Sequence, residues 1–403
     1  MDTLKILELI FLIIVTGMIF SKLSKILHMP DVVLFILGGV ILGPRVLNLI
    51  NAESYPIGNE LILTFGAAYI LYDGGREIEL KVLNKVKLSV LMLATLGVLI
   101  STFITGYFSS KILHIDFTYA LLLGSVIAST DPSVLVPLFK NMNISDKLKQ
   151  TIISESAFND AAGAIITFSI LGVITGGVFS LQKCIFDLLI TAGGGILVGL
   201  IVGFLASTLI SHDKYAYFQE HPAEMGISAV VGAYVIATKL GVSGFMAVFM
   251  VGMVCGNKKI LNMWVPDEQY VTQTRFKEVL TIILRMMIFI LLGTQINFTV
   301  LSKYWKEAFL IVGVLIFIAR PISAFISVVF DKKANWNFRE IIYLMWVRET
   351  GVIPAALAGM LLSQKIQHAE IISSVTFMAI IITLTFQAST SKALANFLKL
   401  NKA

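Results

Sequence analysis

The chain has 403 residues, 57% of them hydrophobic and only 14% charged, with a formal net charge of +6. Soluble domains carry roughly 25% charged residues. This composition, with a mean hydropathy of +0.87, therefore excludes an ordinary soluble enzyme and indicates an all-α polytopic membrane protein. The basic residues lie in short loops between apolar runs, where they report topology and not an affinity for nucleic acid.

A helix crossing the bilayer needs about 20 largely apolar residues, fewer where it is broken. Thirteen segments qualify, at about 4–21, 29–43, 59–74, 88–110, 117–139, 149–175, 185–210, 222–240, 243–256, 278–295, 308–330, 338–362 and 370–394. The second and ninth are short. The first begins at once, Ile6 to Phe20, without a basic leader or a small-residue cleavage site, and reads as a retained span. With the N-terminus outside, about 20 lysines and arginines fall in inside segments against about 8 outside, and Arg285, Arg320 and Arg348 lie within spans. The positive-inside rule thus predicts a multi-pass cell-membrane protein with its N-terminus out and C-terminus cytoplasmic. Cys184 and Cys255 fall at opposite surfaces and lack metal-ligand or redox spacing.

The fifth span contains Ser129-Thr130-Asp131-Pro132 and the sixth Glu155-Ser156-Ala157-Phe158-Asn159-Asp160. A charge at the bilayer centre costs roughly 2.5–3.5 kcal/mol even on the lenient insertion scale, so these acids face a protein interior or a water-filled cavity. The bland reading is a structural ion pair for any one of them. Pro132 lacks an N–H and disfavours helix at Asp131, which predicts an unwound stretch with free carbonyls. Ser156 and Asp160, four residues apart, share a helix face, and Glu155 lies about 100° round it. One carboxylate with hydroxyl and carbonyl oxygens suits a small hard cation. A single acid that holds a cation or a proton, never both, is the minimum machinery of an exchanger. In the twelfth span Arg348-Glu349-Thr350-Gly351 and Pro354 suggest a second break, where Asp131, Arg348 and Glu349 offset the partial charges of opposed half-helix ends.

The chain also echoes itself at an offset of about 215 residues. Gly39 and Gly43 match Gly252 and Gly256, and Ile78 to Leu83 matches Ile296 to Leu301. The same offset carries Thr130-Asp131 onto Arg348-Glu349. Two six-span repeats, about 4–175 and 222–394, joined by one odd span at 185–210, must be inverted relative to one another. That is the arrangement of many secondary transporters, whose ions bind where two broken crossing helices meet.

The motifs of the fifth and sixth spans resemble those of the NhaP-type sodium/proton antiporters, the Asn-Asp branch of the monovalent cation/proton antiporter superfamily. The resemblance covers nearly the whole chain. It implies a homodimer in membrane lipid, with a dimerisation domain and a mobile six-helix core, working in pH homeostasis. It also implies exchange of a monovalent cation for H+, with no cofactor and no enzymatic activity. Carried over residue by residue, the ion-carrying aspartate is Asp160 and its neighbour Asn159. The Thr-Asp at the crossing is Thr130 and Asp131, the serine ligand is Ser156, and Asp73 stands where relatives often have glutamate. Na+ would sit at Asp160, Ser156 and Thr130. The resemblance further implies a structural ion pair between Glu155 and Arg320, with Arg348 near the crossing.

Two features depart from the pattern. Asp73 is one methylene shorter than glutamate, and Arg285 stands where an uncharged residue is expected, either snorkelling to the inner surface or guarding an entry funnel. The readings that compete are a sodium-coupled symporter on a related fold, a cation channel, and an intramembrane aspartyl protease. Tyr72-Asp73 suits the protease, but its Gly-x-Gly-Asp partner motif is missing. Na+, Li+ and K+ all fit a hard-oxygen site.

Overall fold

A computed structural model of the chain describes residues 2–27, 29–51, 56–131, 139, 142–176, 181–211, 217–258, 260, 263 and 267–401. All regular structure among them is helical. The helices are α1 Asp2–Leu27, α2 Asp31–Leu42, α3 Pro56–Arg76, α4 Leu80–Leu113, α5 Phe117–Val126, α6 Asp146–Ile174 and α7 Leu181–Ile210, then α8 Pro222–Lys239, α9 Gly244–Gly256, α10 Asp267–Thr294, α11 Phe298–Val329, α12 Phe338–Trp346, α13 Val352–Ser363 and α14 Ala369–Phe397. They correspond in order to the thirteen expected spans. Six of the described helices are long and apolar enough to cross a membrane by length and composition alone. The others are short or carry charged residues.

The fifth and twelfth spans are the broken ones. In the fifth, α5 stops at Val126 and residues 127–131 are not helical; Pro132, expected to cause the break, lies outside the described residues. In the twelfth, α12 stops at Trp346, the chain runs non-helically to Gly351, and α13 restarts at Val352. Pro354 falls in the first turn of α13, where a missing N–H costs no helical hydrogen bond. It therefore starts the second half-helix, while the break itself lies upstream. Asn337 and Glu340 form a capping box that fixes the start of α12.

The helices pack in two groups. One contains α1, α2, α3, α7, α8, α9 and α10; the other contains α4, α5, α6, α11, α12, α13 and α14. The groups meet where α3, α9 and α10 face α6 and α13. Within the first group two contacts bring backbones together through glycine. A Cβ at Gly252 of α9 would collide with the carbonyl oxygen of Tyr72 on α3, and one at Gly39 of α2 with that of Ile290 on α10. Small residues let helices approach this closely where lipid offers no competing solvent drive. In the second group α4 and α11 are each interrupted by one π-turn, at Leu93–Gly97 and Leu315–Ala319. The turn in α11 ends directly before Arg320 and so sets where that side chain projects.

Candidate functional site

The two broken spans cross, and each supplies the charge that the other's half-helix lacks. α5 ends with unsatisfied carbonyls. The Arg348 guanidinium, wholly buried, donates from one nitrogen to the carbonyl oxygens of Ile127 and Ala128 at 2.6 and 2.7 Å. At the start of α13 the N–H of Val352 donates to Asp131 Oδ2 at 3.1 Å. A cation thus stands at a helix C-terminus and an anion at a helix N-terminus, the favourable sense for both dipoles. The crossing is also stitched by its backbone, the Asp131 N–H donating to the Glu349 carbonyl oxygen at 2.8 Å. Gly351 is required here, since a Cβ on it would overlap the Asp131 carboxylate. Both carboxyl oxygens of Glu349 are buried without a hydrogen-bond partner among the described residues.

Against this crossing lies the middle of α6. Thr130, in the unwound stretch, meets it three times: its N–H donates to Asn159 Oδ1 at 3.1 Å, Asn159 Nδ2 donates to its hydroxyl at 2.8 Å, and its carbonyl accepts from the Ser156 hydroxyl at 2.5 Å. Asn159 therefore staples the broken strand to α6 with both ends of its amide. Asp160 is only 9% exposed, and its Oδ1 has no hydrogen-bond donor among the described residues. Its electrostatic neighbours are Asp131 and the hydroxyl of Ser129. The Ser156 hydroxyl spends its hydrogen on Thr130 and keeps oxygen lone pairs free, as does the Thr130 carbonyl. Asp160 thus lies beside the Ser129 hydroxyl and one helical turn from Ser156, whose hydroxyl is bound to the Thr130 carbonyl, and such oxygens are of the type that suits an alkali cation.

One turn below, Glu155 faces away from this group. Arg320 meets it with both terminal nitrogens and also donates from Nε to the Leu344 carbonyl at 3.0 Å and from Nη2 to that of Val347 at 3.2 Å. The pair ties α6, α11 and α12 together.

Asp73 is placed apart from the sequence expectation. Its carboxylate pairs with Lys277 at 2.5 Å and accepts from the Thr281 hydroxyl at 2.9 Å, both on α10, and no described contact joins it to Thr130, Ser156 or Asp160. Arg285 lies 3.7 Å from Asp31 at the start of α2. Sequence reasoning missed Lys277. The one signal it offered was a lysine four residues before Thr281 and eight before Arg285 on the same helix face.

With this geometry in hand, the chain can be set beside known proteins. Residues 10–397 match the family described as sodium/hydrogen exchanger, transmembrane. The chain is 30% identical over 406 residues to probable Na(+)/H(+) antiporter 2 of Methanocaldococcus jannaschii, covering 95% of this chain and 94% of that one. It is 26% identical to the K(+)/H(+) antiporter NhaP of Alkalimonas amylolytica, over 99% of this chain and 67% of the relative. The structure of the sodium proton antiporter MjNhaP1 from M. jannaschii superposes with a TM-score of 0.87 over 99% of both chains at 28% identity. A match across almost every span, with the same fold and the same order of elements, leaves one conclusion: the chain belongs to the sodium/hydrogen exchanger family.

Proposed function

We propose that the chain is a secondary antiporter that exchanges one monovalent cation for one H+ by alternate occupancy of Asp160. The observation that carries this reading is the state of that carboxylate: buried, without a protein donor on Oδ1, and one helical turn from Ser156, whose hydroxyl holds Thr130. A buried ionised carboxylate is strongly disfavoured unless it is neutralised. Asp160 can be neutralised by a proton or by a cation, and one occupant excludes the other. The site crosses between the two sides in either neutral form and is held back when charged and empty, which makes the exchange obligatory. Thr130 and Ser156 supply the oxygen ligands, Asn159 positions Thr130, and Asp131 with Arg348 and Glu349 stabilise the crossing. Na+ is the first cation to test, because it is named for a relative at 30% identity; K+ is named for one at 26%.

The larger frame is part of the same proposal. The two packing groups fit a dimerisation part and a moving six-span part, with Asp160 at the seam between them. The two inverted repeats, about 4–175 and 222–394, are supported by corresponding contacts: α2 on α10 through Gly39, and α9 on α3 through Gly252. The π-turns at Leu93–Gly97 and Leu315–Ala319 also fall at corresponding places. The excess of lysine and arginine near the ends where α3 stops and α6 starts favours that side as cytoplasmic, with the N-terminus outside. A homodimer follows from the family resemblance. The reading is tested in liposomes holding the purified chain and an internal pH dye. Addition of Na+, Li+ or K+ should dissipate an imposed pH gradient for at least one cation; no response to any of the three refutes antiport.

A further inference from the structure

Four polar residues of α10, Gln273, Lys277, Thr281 and Arg285, recur every fourth position and line one slowly turning face of the helix. Together they meet three different partners. Gln273 donates to the Pro222 carbonyl at 2.8 Å, Lys277 and Thr281 hold Asp73, and Arg285 lies near Asp31. Asp73 is followed by Gly74, and a Cβ at Gly74 would stand 3.5 Å from that of Ala157. Ala157 in turn lies between Ser156 and Asp160 on α6. Gly74 has no side chain to interpose, so α3 packs directly against the Asp160-bearing stretch of α6 one residue after Asp73.

Both oxygens of that carboxylate are taken by α10. Lys277 supplies a full positive charge at 2.5 Å and Thr281 a hydroxyl hydrogen at 2.9 Å. The pair is largely buried, with the Lys277 and Asp73 side chains 13% and 14% exposed. An acid at the mouth of a cation site concentrates cations, whereas an acid cancelled by a tethered ammonium does not. We infer that Lys277 is a tethered ammonium that occupies Asp73 in place of the transported cation and thereby raises the concentration of cation needed. Lys277 is thus an affinity-setting residue and makes no contact with Asp160. The inference rests on the antiport reading above.

The test compares full-length variants in liposomes, with sodium-driven proton flux read by an internal pH dye while Na+ is titrated. Lys277→Met keeps the alkyl bulk and removes the charge. Loss of the competing charge should lower the apparent KM for Na+ by about three- to fivefold, or about 1 kcal/mol. Lys277→Arg should keep the wild-type KM, and adding Asp73→Asn to Lys277→Met should cancel the gain, because the gain comes from the freed carboxylate. An unchanged or raised KM in Lys277→Met, with a lower melting temperature, overturns the inference and leaves the pair a structural tie. If Lys277→Met does not fold, Lys277→Gln is read by Na+-dependent thermal stabilisation in detergent. Half-stabilisation at lower Na+ than in the wild type supports the inference, and the same Na+ requirement overturns it. Failure of the wild type to respond to any cation instead overturns the antiport reading itself, so the two failures are distinguishable.

Discussion

Glu155 and Asp160 sit five residues apart on α6, and both are buried, at 2% and 9% exposure. Their surroundings are opposite. Both oxygens of Glu155 accept from Arg320, and two further N–H groups of the guanidinium go to backbone carbonyls. Asp160 has an oxygen with no donor and hydroxyl neighbours with lone pairs to spare. Burial alone therefore does not separate a transport acid from a structural one; satisfaction does. A fully satisfied buried charge rigidifies the fold, while an unsatisfied one requires something from outside the protein.

The contrast is broken most directly at Asp160. Asp160→Asn should abolish cation-driven proton flux to the level of protein-free liposomes, while the melting temperature stays within a few degrees of wild type. The amide keeps the volume and loses the exchangeable charge. Residual sodium-dependent dissipation of a pH gradient would move the site elsewhere. Glu155 should fail in the opposite way. Removing one partner of a buried pair leaves an uncompensated charge and costs about 3–5 kcal/mol, so Glu155→Ala and Arg320→Ala should unfold at markedly lower temperature and yield less protein. Thermal melting of both variants beside Asp160→Asn checks this. Equal melting temperatures would remove the distinction between the two acids.

The crossing sharpens the comparison, because Asp131 belongs partly to each class. It is engaged as a helix cap through Val352 and it lies near Asp160. Asn at this position keeps an oxygen for the Val352 N–H and loses the charge at the α13 N-terminus, an interaction worth about 0.3–1 kcal/mol, up to about 2 when partly buried. Asp131→Asn should therefore fold, with a small loss of stability, and transport at a small fraction of the wild-type rate. Wild-type flux would show that the carboxylate acts only as a cap.

How these residues became readable differs from one to the next. The spans were legible because a bilayer imposes one demand, about 20 apolar residues, that composition reports directly. Asp131 and Asp160 were legible because a charge inside such a run is costly and needs a reason. Contacts set by tertiary structure left no such mark. Nothing in the spacing indicates that Arg348 reaches back 220 and 221 positions to cap α5, or that Lys277 finds Asp73 rather than solvent. Asp73 was expected among the cation ligands on the strength of resemblance, and its contacts instead go to α10. The break in the twelfth span was expected from Gly351 and Pro354. The glycine is needed for the close approach of Asp131, but the proline lies inside the restarted helix.

The finest consequence of the contrast is electrical. If Asp160 is the one acid on this path that changes occupant, each cycle moves one cation one way and one proton the other, and no net charge crosses. Asn159 supports this count, because an amide neither takes up nor releases a proton in the working range and both its ends are held by Thr130. Any net charge moved would couple to the membrane potential by about 2.3 kcal/mol per 100 mV. For one net charge per proton that displaces the steady-state pH gradient by about 1.7 units per 100 mV, since a pH unit is about 1.36 kcal/mol. The expected displacement is zero when potassium/valinomycin potentials of either sign are imposed on liposomes transporting Na+. A gradient that moves with the potential overturns one-for-one exchange even if Asp160→Asn is inactive. The second titrating acid would then have to be sought at the crossing. Glu349 is the place to look first, since both its oxygens share with Asp160 the property that set the two acids of α6 apart: burial without a hydrogen-bond partner among the described residues.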